Sequence, residues 1–232
     1  MSGESTRRLV WDLPLRLFHW GVVVCVAGAW ATAELGVEWF AWHRRFGYSL
    51  LVLVAFRVAW GFVGPEHARF SSFVRGPRAV AAYLRGIASR EPTQTVGHSP
   101  LGALAVLAML ALLAVQALTG LFANDAIFNS GPLYGYVSSA LSDRLTSLHK
   151  GNFDWLLALI ALHLAAIAFY ALWKRVDLVR PMITGRKRAA DLPPGAGVAS
   201  QRLWLAVALV AIAALALWWV IETAPAASMS FF

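Results

Sequence analysis

The 232-residue chain has one cysteine, Cys25, and only 14% of its residues are charged. A single sulfur cannot build a disulfide framework, a thiolate zinc site or an iron–sulfur cluster, each of which needs several. Soluble domains are about a quarter charged, so this scarcity excludes a water-soluble globule, and with 59% hydrophobic residues it also excludes a disordered tail. There is no internal repeat and no low-complexity tract. What is abundant is long apolar sequence, with a mean hydropathy of +0.62 and 11 Trp. The chain reads as a polytopic membrane protein. Cys25 lies in an apolar run and is expected to be a small core residue.

A hydrocarbon layer of about 30 Å needs about 20 apolar residues at roughly 1.5 Å each. Five stretches reach that length, at about 17–33, 46–63, 101–123, 153–173 and 203–221. Backbone polar groups in lipid must be satisfied within the segment, so these are expected to be α-helices. Gly64-Pro65-Glu66, Glu91-Pro92-Thr93 and Asp191-Leu192-Pro193-Pro194-Gly195 read as loops. Lys and Arg fall unevenly across those loops, 15 on alternate ones against 4 on the others, with Arg57 inside the second span. The positive-inside rule then places the N-terminus in the cytoplasm and the C-terminus outside. The formal charge of +8 is accordingly expected to face anionic headgroups, with no nucleic-acid partner. Trp20, Trp30, Trp39, Trp42, Trp60, Trp155, Trp173 and Trp204 fall near span ends, as an interfacial belt requires. Arg7-Arg8, the first apolar run and Ala31-Thr32-Ala33 also imitate a cleavable signal peptide, but the chain is expected to keep this segment, which carries His19.

Ionisable groups inside a membrane are costly, so the histidines are informative. His163 lies deep in the fourth span and His149 just before it, 14 residues away. On a helix that spacing is about 21 Å of rise and about 40° short of four turns, so both rings leave roughly one face near opposite leaflets. His19 shares the cytoplasmic depth of His163, and His43, just outside the second span, shares the outer depth of His149. Two stacked bis-imidazole sites result, His19 with His163 and His43 with His149. Zinc wants a tetrahedron of donors, and no acidic residue sits at the depth of His163. A haem iron lacks only two axial ligands, and two histidines complete it with no position left for oxygen, which suits electron transfer. No Cys-x-x-Cys-His occurs, so the expected cofactor is two non-covalent haems b. Gly47, Ala165 and Ala166 leave room for a flat macrocycle.

Other polar residues keep two readings each. Arg57 either snorkels to the interface or pairs with a propionate of the cytoplasmic haem. Gln116 and Thr119 are expected to hydrogen-bond between helices, a quinone pocket being the alternative. His67 and His98 read as cytoplasmic-face residues or as handlers of protons near a quinone or propionates. Asp125 and Asp143 could present an acidic patch to a soluble redox protein, and Arg44 and Arg45 lie on the outer side.

Several of these elements together resemble the bacterial di-haem cytochromes b that include cytochrome b561 and the cytochrome b subunit of nickel–iron hydrogenases. The resemblance lies in Asp12-Leu13-Pro14-Leu15-Arg16-Leu17-Phe18-His19-Trp20, His43-x-x-x-Gly47-Tyr48, Arg57-x-x-Trp60-Gly61-Phe62, His67-Ala68-Arg69-Phe70 and the spacing of His149 and His163. It implies an all-α integral membrane fold, a four-helix haem-binding bundle over residues 1–185, in the bacterial inner membrane. Its ligands would fall on His19, His43, His149 and His163, and His67 would not be one. Residues 186–202 then form a basic, Pro/Gly-rich cytoplasmic linker. Span 203–221 departs from the shorter b561 pattern and has no His.

The resemblance implies electron transfer between a quinone pool and a redox protein such as a c-type cytochrome or a hydrogenase subunit. A catalytic variant would oxidise quinol or superoxide at a haem rim. A reading from another class is a cofactor-free transporter or complex anchor, which gives no reason for histidines paired at two depths.

Overall fold

The computed structural model describes residues 7–89 and 96–225 of the protein. In chain order the elements are strand β1 (Arg7–Leu9) and helices α1 (Leu13–Glu34), α2 (Phe40–Val63), α3 (Phe70–Phe73), α4 (Pro77–Gly86), α5 (Pro100–Gly120) and α6 (Ser139–Leu172). Helix α7 (Val179–Thr184), strand β2 (Arg186–Arg188) and helix α8 (Leu203–Glu222) complete the list. Short 3-10 turns cover Val37–Trp39, Glu66–Ala68, Tyr134–Tyr136 and Ala189–Asp191. Among the described residues five helices are long and apolar enough to cross a membrane: α1, α2 with its preceding turn, α5, α6 and α8.

The ends of the spans differ from expectation where polar residues continue a helix beyond the apolar run. Helix α6 starts at Ser139, well before 153, because Ser138 caps it, its hydroxyl accepting from Leu141 N–H at 3.3 Å. His149, expected just before the span, is therefore inside the helix, and so is His43, since α2 starts at Phe40. Helix α5 stops at Gly120, and the residues after it tie back through Gly131 N–H to Ala123 O at 2.7 Å and Leu133 N–H to Leu121 O at 2.9 Å. The stretch expected as one loop over 64–100 carries α3 and α4, while Glu91-Pro92-Thr93 lies outside the described residues.

Contacts divide the chain into two units. Unit 1 comprises the described parts of 1–18, 57–108 and 159–206. Within the stretch 186–202, expected as a linker, β2 pairs antiparallel with β1, Arg7 opposite Arg188 and Leu9 opposite Arg186. Gly185 turns the chain into that ribbon at φ +79°, and its carbonyl accepts from Val10 N–H at 2.8 Å and Trp11 N–H at 3.1 Å. Asp12 opens α1, its Oδ1 accepting from Leu15 N–H at 2.9 Å and from the Trp60 indole N–H at 3.1 Å. Trp60 is thus fully buried and does not belong to the interfacial belt, because its N–H has a buried partner. Burial raises the Asp12 carboxyl above its ordinary range.

Unit 2 comprises 19–56, 109–158 and the described part of 207–232. Its buried side chains include Cys25, Leu50, Val54, Leu113, Ala117 and Leu156, with the polar Gln116, Thr119, Ser142 and Asn152 among them. Gly28 lets the Phe46 ring lie against α1, where an added Cβ would stand 2.6 Å from the ring. Asp125 and Asp143 are used in the loop between α5 and α6. Asp125 Oδ1 accepts from the N–H groups of Ile127, Phe128 and Asn129, and Asp143 Oδ1 accepts from Asn124 Nδ2. Asp125 and Asp143 remain exposed in a self-bonded turn that has Ile127 and Phe128 exposed at its tip.

Candidate functional site

In unit 2, α2 and α6 bring His43 and His149 together, with ring centroids 6.2 Å apart and planes at 75°. The Nδ1 atom of His43 lies 2.8 Å from Ala29 O, and that of His149 lies 2.9 Å from Gln116 O. A carbonyl only accepts, so each Nδ1 carries the proton and donates it, leaving each Nε2 with its lone pair. Such a hydrogen bond from the far nitrogen to a carbonyl is what orients a metal-binding histidine.

The His149 side of the pair is held by a short chain of amides. Gln116 Nε2 donates to His149 Nε2 at 3.1 Å, and Asn152 Nδ2 donates to Gln116 Oε1 at 2.7 Å and to Leu112 O at 3.0 Å. Thr119 Oγ1 donates back to Val115 O at 2.6 Å and stands 3.3 Å from His149 Nδ1. Gln116 and Thr119 therefore act between helices. Asn152 belongs to this set and was missed, because it stands in the polar stretch His149-Lys150-Gly151-Asn152-Phe153-Asp154, where an amide carries no signal.

Do these residues fit an iron macrocycle? A nitrogen ligand stands about 2 Å from its metal, so two imidazoles bound at Nε2 on opposite sides of one ion have centroids about 6 Å apart. The 6.2 Å observed between His43 and His149 meets this. Next to them the backbone leaves space: a Cβ added at Gly47, one turn after His43, or at Gly151, two residues after His149, meets nothing within 4 Å. Gly120 does the opposite, bringing backbone against the His149 ring, 3.0 Å from where its Cβ would be. Among the described residues no three of His, Cys, Asp or Glu converge, so the pair suits an ion that needs only two protein ligands.

Unit 1 gathers a second polar cluster. Arg57 is 1% exposed, and neither Nη1 nor Nη2 has a hydrogen-bond partner among the described residues. Its guanidinium lies over the Phe70 ring at 4.9 Å and the Phe73 ring at 5.9 Å, so it does not snorkel. His98 packs between Trp11 and Phe73, centroids 4.8 and 4.6 Å away. Burial first, then the charges of Arg57 and Lys187, holds its imidazole neutral, down to about 3. Burial likewise lowers His67 and Lys187, the latter donating to Val96 O at 3.1 Å. His163 is half-buried on the unit 1 part of α6, and His19, half-buried in unit 2, meets Trp20 edge-on at 5.0 Å. Arg44 and Arg45 lie over Phe40 and Trp42 as surface anchors.

A bis-imidazole pair on helices long enough to span a bilayer is what the comparisons with known proteins then meet. The profile of the prokaryotic cytochrome b561 family matches residues 10–185. The chain belongs to that family. A probable Ni/Fe-hydrogenase B-type cytochrome subunit of Azotobacter chroococcum mcd 1 is 28% identical over 225 residues, covering 82% of this chain and 92% of the relative. A protein of the same description from Azotobacter vinelandii is 33% identical over 130 residues, covering 44% of this chain and 53% of the relative. No solved structure matches. As a prokaryotic cytochrome b561, the protein is a multi-pass membrane cytochrome that transfers electrons by b-type haem.

Proposed function

We propose that this cytochrome carries electrons across the bacterial inner membrane through two haems b per chain. The outer haem is held by His43 and His149, and the inner by His19 and His163. The haem would supply an iron that takes up and releases one electron. The chain's own residues fix the ligands: Ala29 O and Gln116 O hold each imidazole in the tautomer that offers Nε2. The single observation that carries this reading is the 6.2 Å spacing of two imidazoles whose Nδ1 atoms are both engaged. For the inner pair the support is the common depth of His19 and His163, together with the buried Arg57, whose Nη1 and Nη2 meet no acceptor among the described residues and suit a propionate.

The balance of basic loops supports a cytoplasmic N-terminus and a periplasmic C-terminus. Residues 1–185 form the haem domain. Helix α8 lies beyond the part matched to the family, carries no His and buries only Ala206, which supports a place outside the haem bundle. The partners proposed are the quinone pool and a redox protein. The relatives' names point to a Ni/Fe-hydrogenase, with a c-type cytochrome as the alternative.

The test is the haem content of the purified protein by pyridine haemochrome. Two haems b per chain are expected, falling to one in His43→Ala and, separately, in His163→Ala. Two haems retained in either variant overturns the ligand set, and a wild-type chain without haem b overturns the function.

A further inference from the structure

We propose that Arg57 and His98 form one carboxylate site that takes a propionate of the inner haem, and that His98 gains a proton when that haem gains an electron. The proposal rests on the two-haem reading above and adds a proton to it.

The geometry begins with Arg57. A buried guanidinium is costly unless its N–H groups meet acceptors. Phe70 and Phe73 engage only its faces, which leaves the in-plane Nη1 and Nη2 donors unpaired among the described residues. Asp12 interacts with it through charge, yet Asp12 Oδ1 already accepts from Leu15 and Trp60. A planar fork of donors calls for a carboxylate. His98 shares the wall of this site, because the Phe73 ring that backs Arg57 also packs on the imidazole. Its Nδ1 is buried and has no partner among the described residues. Two unsatisfied groups thus lie against one aromatic ring, one of them permanently charged and the other a neutral imidazole that can take up a proton.

The groups around His98 set the direction. Arg57 comes from α2, Lys187 from β2, and His67 with Glu66 and Arg69 from the turn before α3. Asp12 lies at the start of α1, and Asp191 lies beside Lys187. Burial and the two cations keep the imidazole neutral. A carboxylate bound to Arg57 cancels part of that field, and reduction of iron(III) to iron(II) removes a further positive charge. Both changes favour the imidazolium. The step balances as one electron from a quinol-class donor to the iron and one proton from the cytoplasmic water to His98.

The experiment is a redox titration of the purified two-haem protein from about pH 5 to about pH 9. One haem should have a midpoint potential that falls with rising pH, by up to about 59 mV for each tenfold change in proton concentration, while the other stays flat. His98→Gln should abolish that slope in the haem that shows it in the wild type, and the redox-difference infrared spectrum of the wild type should show an imidazolium band formed on reduction. Exchange into lipid-free, phosphate-free detergent should leave the slope intact; its loss there would assign the anion to lipid or buffer and overturn the propionate. A slope that survives in His98→Gln, or two haems that both ignore pH, overturns the proposal alone. Should His98→Gln fail to fold, absence of the imidazolium band in the wild type overturns it equally. Fewer than two haems in the wild type overturns the parent reading.

Discussion

The imidazoles of His43 and His149 meet edge-on, with ring centroids 6.2 Å apart and planes at 75°. Two imidazoles bound to one low-spin iron in near-perpendicular planes would leave the two orbitals that they overlap almost equal in energy, whereas parallel rings would split them. A haem held by His43 and His149, as proposed, should therefore give when oxidised a strongly anisotropic electron paramagnetic resonance signal with one large g value. This signal should vanish in His43→Ala and persist in His163→Ala. The ordinary rhombic spectrum of coplanar imidazoles in place of it would show that the rings turn when iron binds.

Gln116→Leu separates the side chain from the backbone at this site. The carbonyl that accepts from His149 Nδ1 remains, while the amide oxygen that accepts from Asn152 is lost; the contact of Gln116 with His149 Nε2 uses the lone pair that an iron would take, so it contributes nothing once haem is bound. Hydrogen bonds between membrane helices contribute about 0.6 kcal/mol on average and up to about 1.7. Asn152 keeps Leu112 O, so the loss should fall within that range. Thermal release of haem should begin at a lower temperature than in wild type, with the outer haem leaving first. Asn152→Leu should do the same more weakly.

The spans and the outer histidine pair were legible because each follows from a one-dimensional quantity, run length or depth. Charge alternation assigned His43 and His149 to one leaflet before any contact was known. The starts of α2 and α6 were not legible, because a helix continues through polar turns wherever its backbone bonds are made, and apolar run length does not record those. The β1–β2 ribbon was hidden for another reason: three-residue strands have no measurable alternation, and their partners stand 181 residues apart in the Arg7–Arg188 pair. Trp60 looked like a belt residue because sequence position cannot show that Asp12 waits for its N–H.

Gly185→Ala tests the ribbon. The residue sits at φ +79°, and an added Cβ would stand 2.7 Å from Trp11 O and 2.9 Å from the Leu9 side chain. A left-handed non-glycine residue costs about 1–3 kcal/mol, and the contact with backbone oxygen adds to it because that atom cannot rotate away. The variant should unfold at a lower temperature, and Val10 and Trp11, whose N–H groups donate to Gly185 O, should exchange their amide hydrogens faster. Unchanged exchange at both would mean that the ribbon does not anchor the start of α1.

Asp125 gives the loop between α5 and α6 a defined acid limit. Slight desolvation acts to raise its carboxyl, but donors from Asn129, Ile127 and Phe128 outweigh this and hold it at about 2, against 3.8 for an ordinary aspartate. The folded value is the lower one, so the contribution to loop stability is fully present above the ordinary value and is lost as pH falls through the folded one. The group is exposed, so the effect is local. Amide exchange at Ile127, Phe128 and Asn129, corrected for its intrinsic pH dependence, should stay slow at neutral pH and accelerate as pH falls from about 4 towards about 2. Asp125→Ala should show the fast exchange at every pH, while Asp125→Asn, which keeps one acceptor oxygen, should lie between. Ala126 holds φ +61° within this turn, so once the carboxylate no longer accepts, the strained residue is free to relax and the exposed Ile127 and Phe128 lose their fixed presentation.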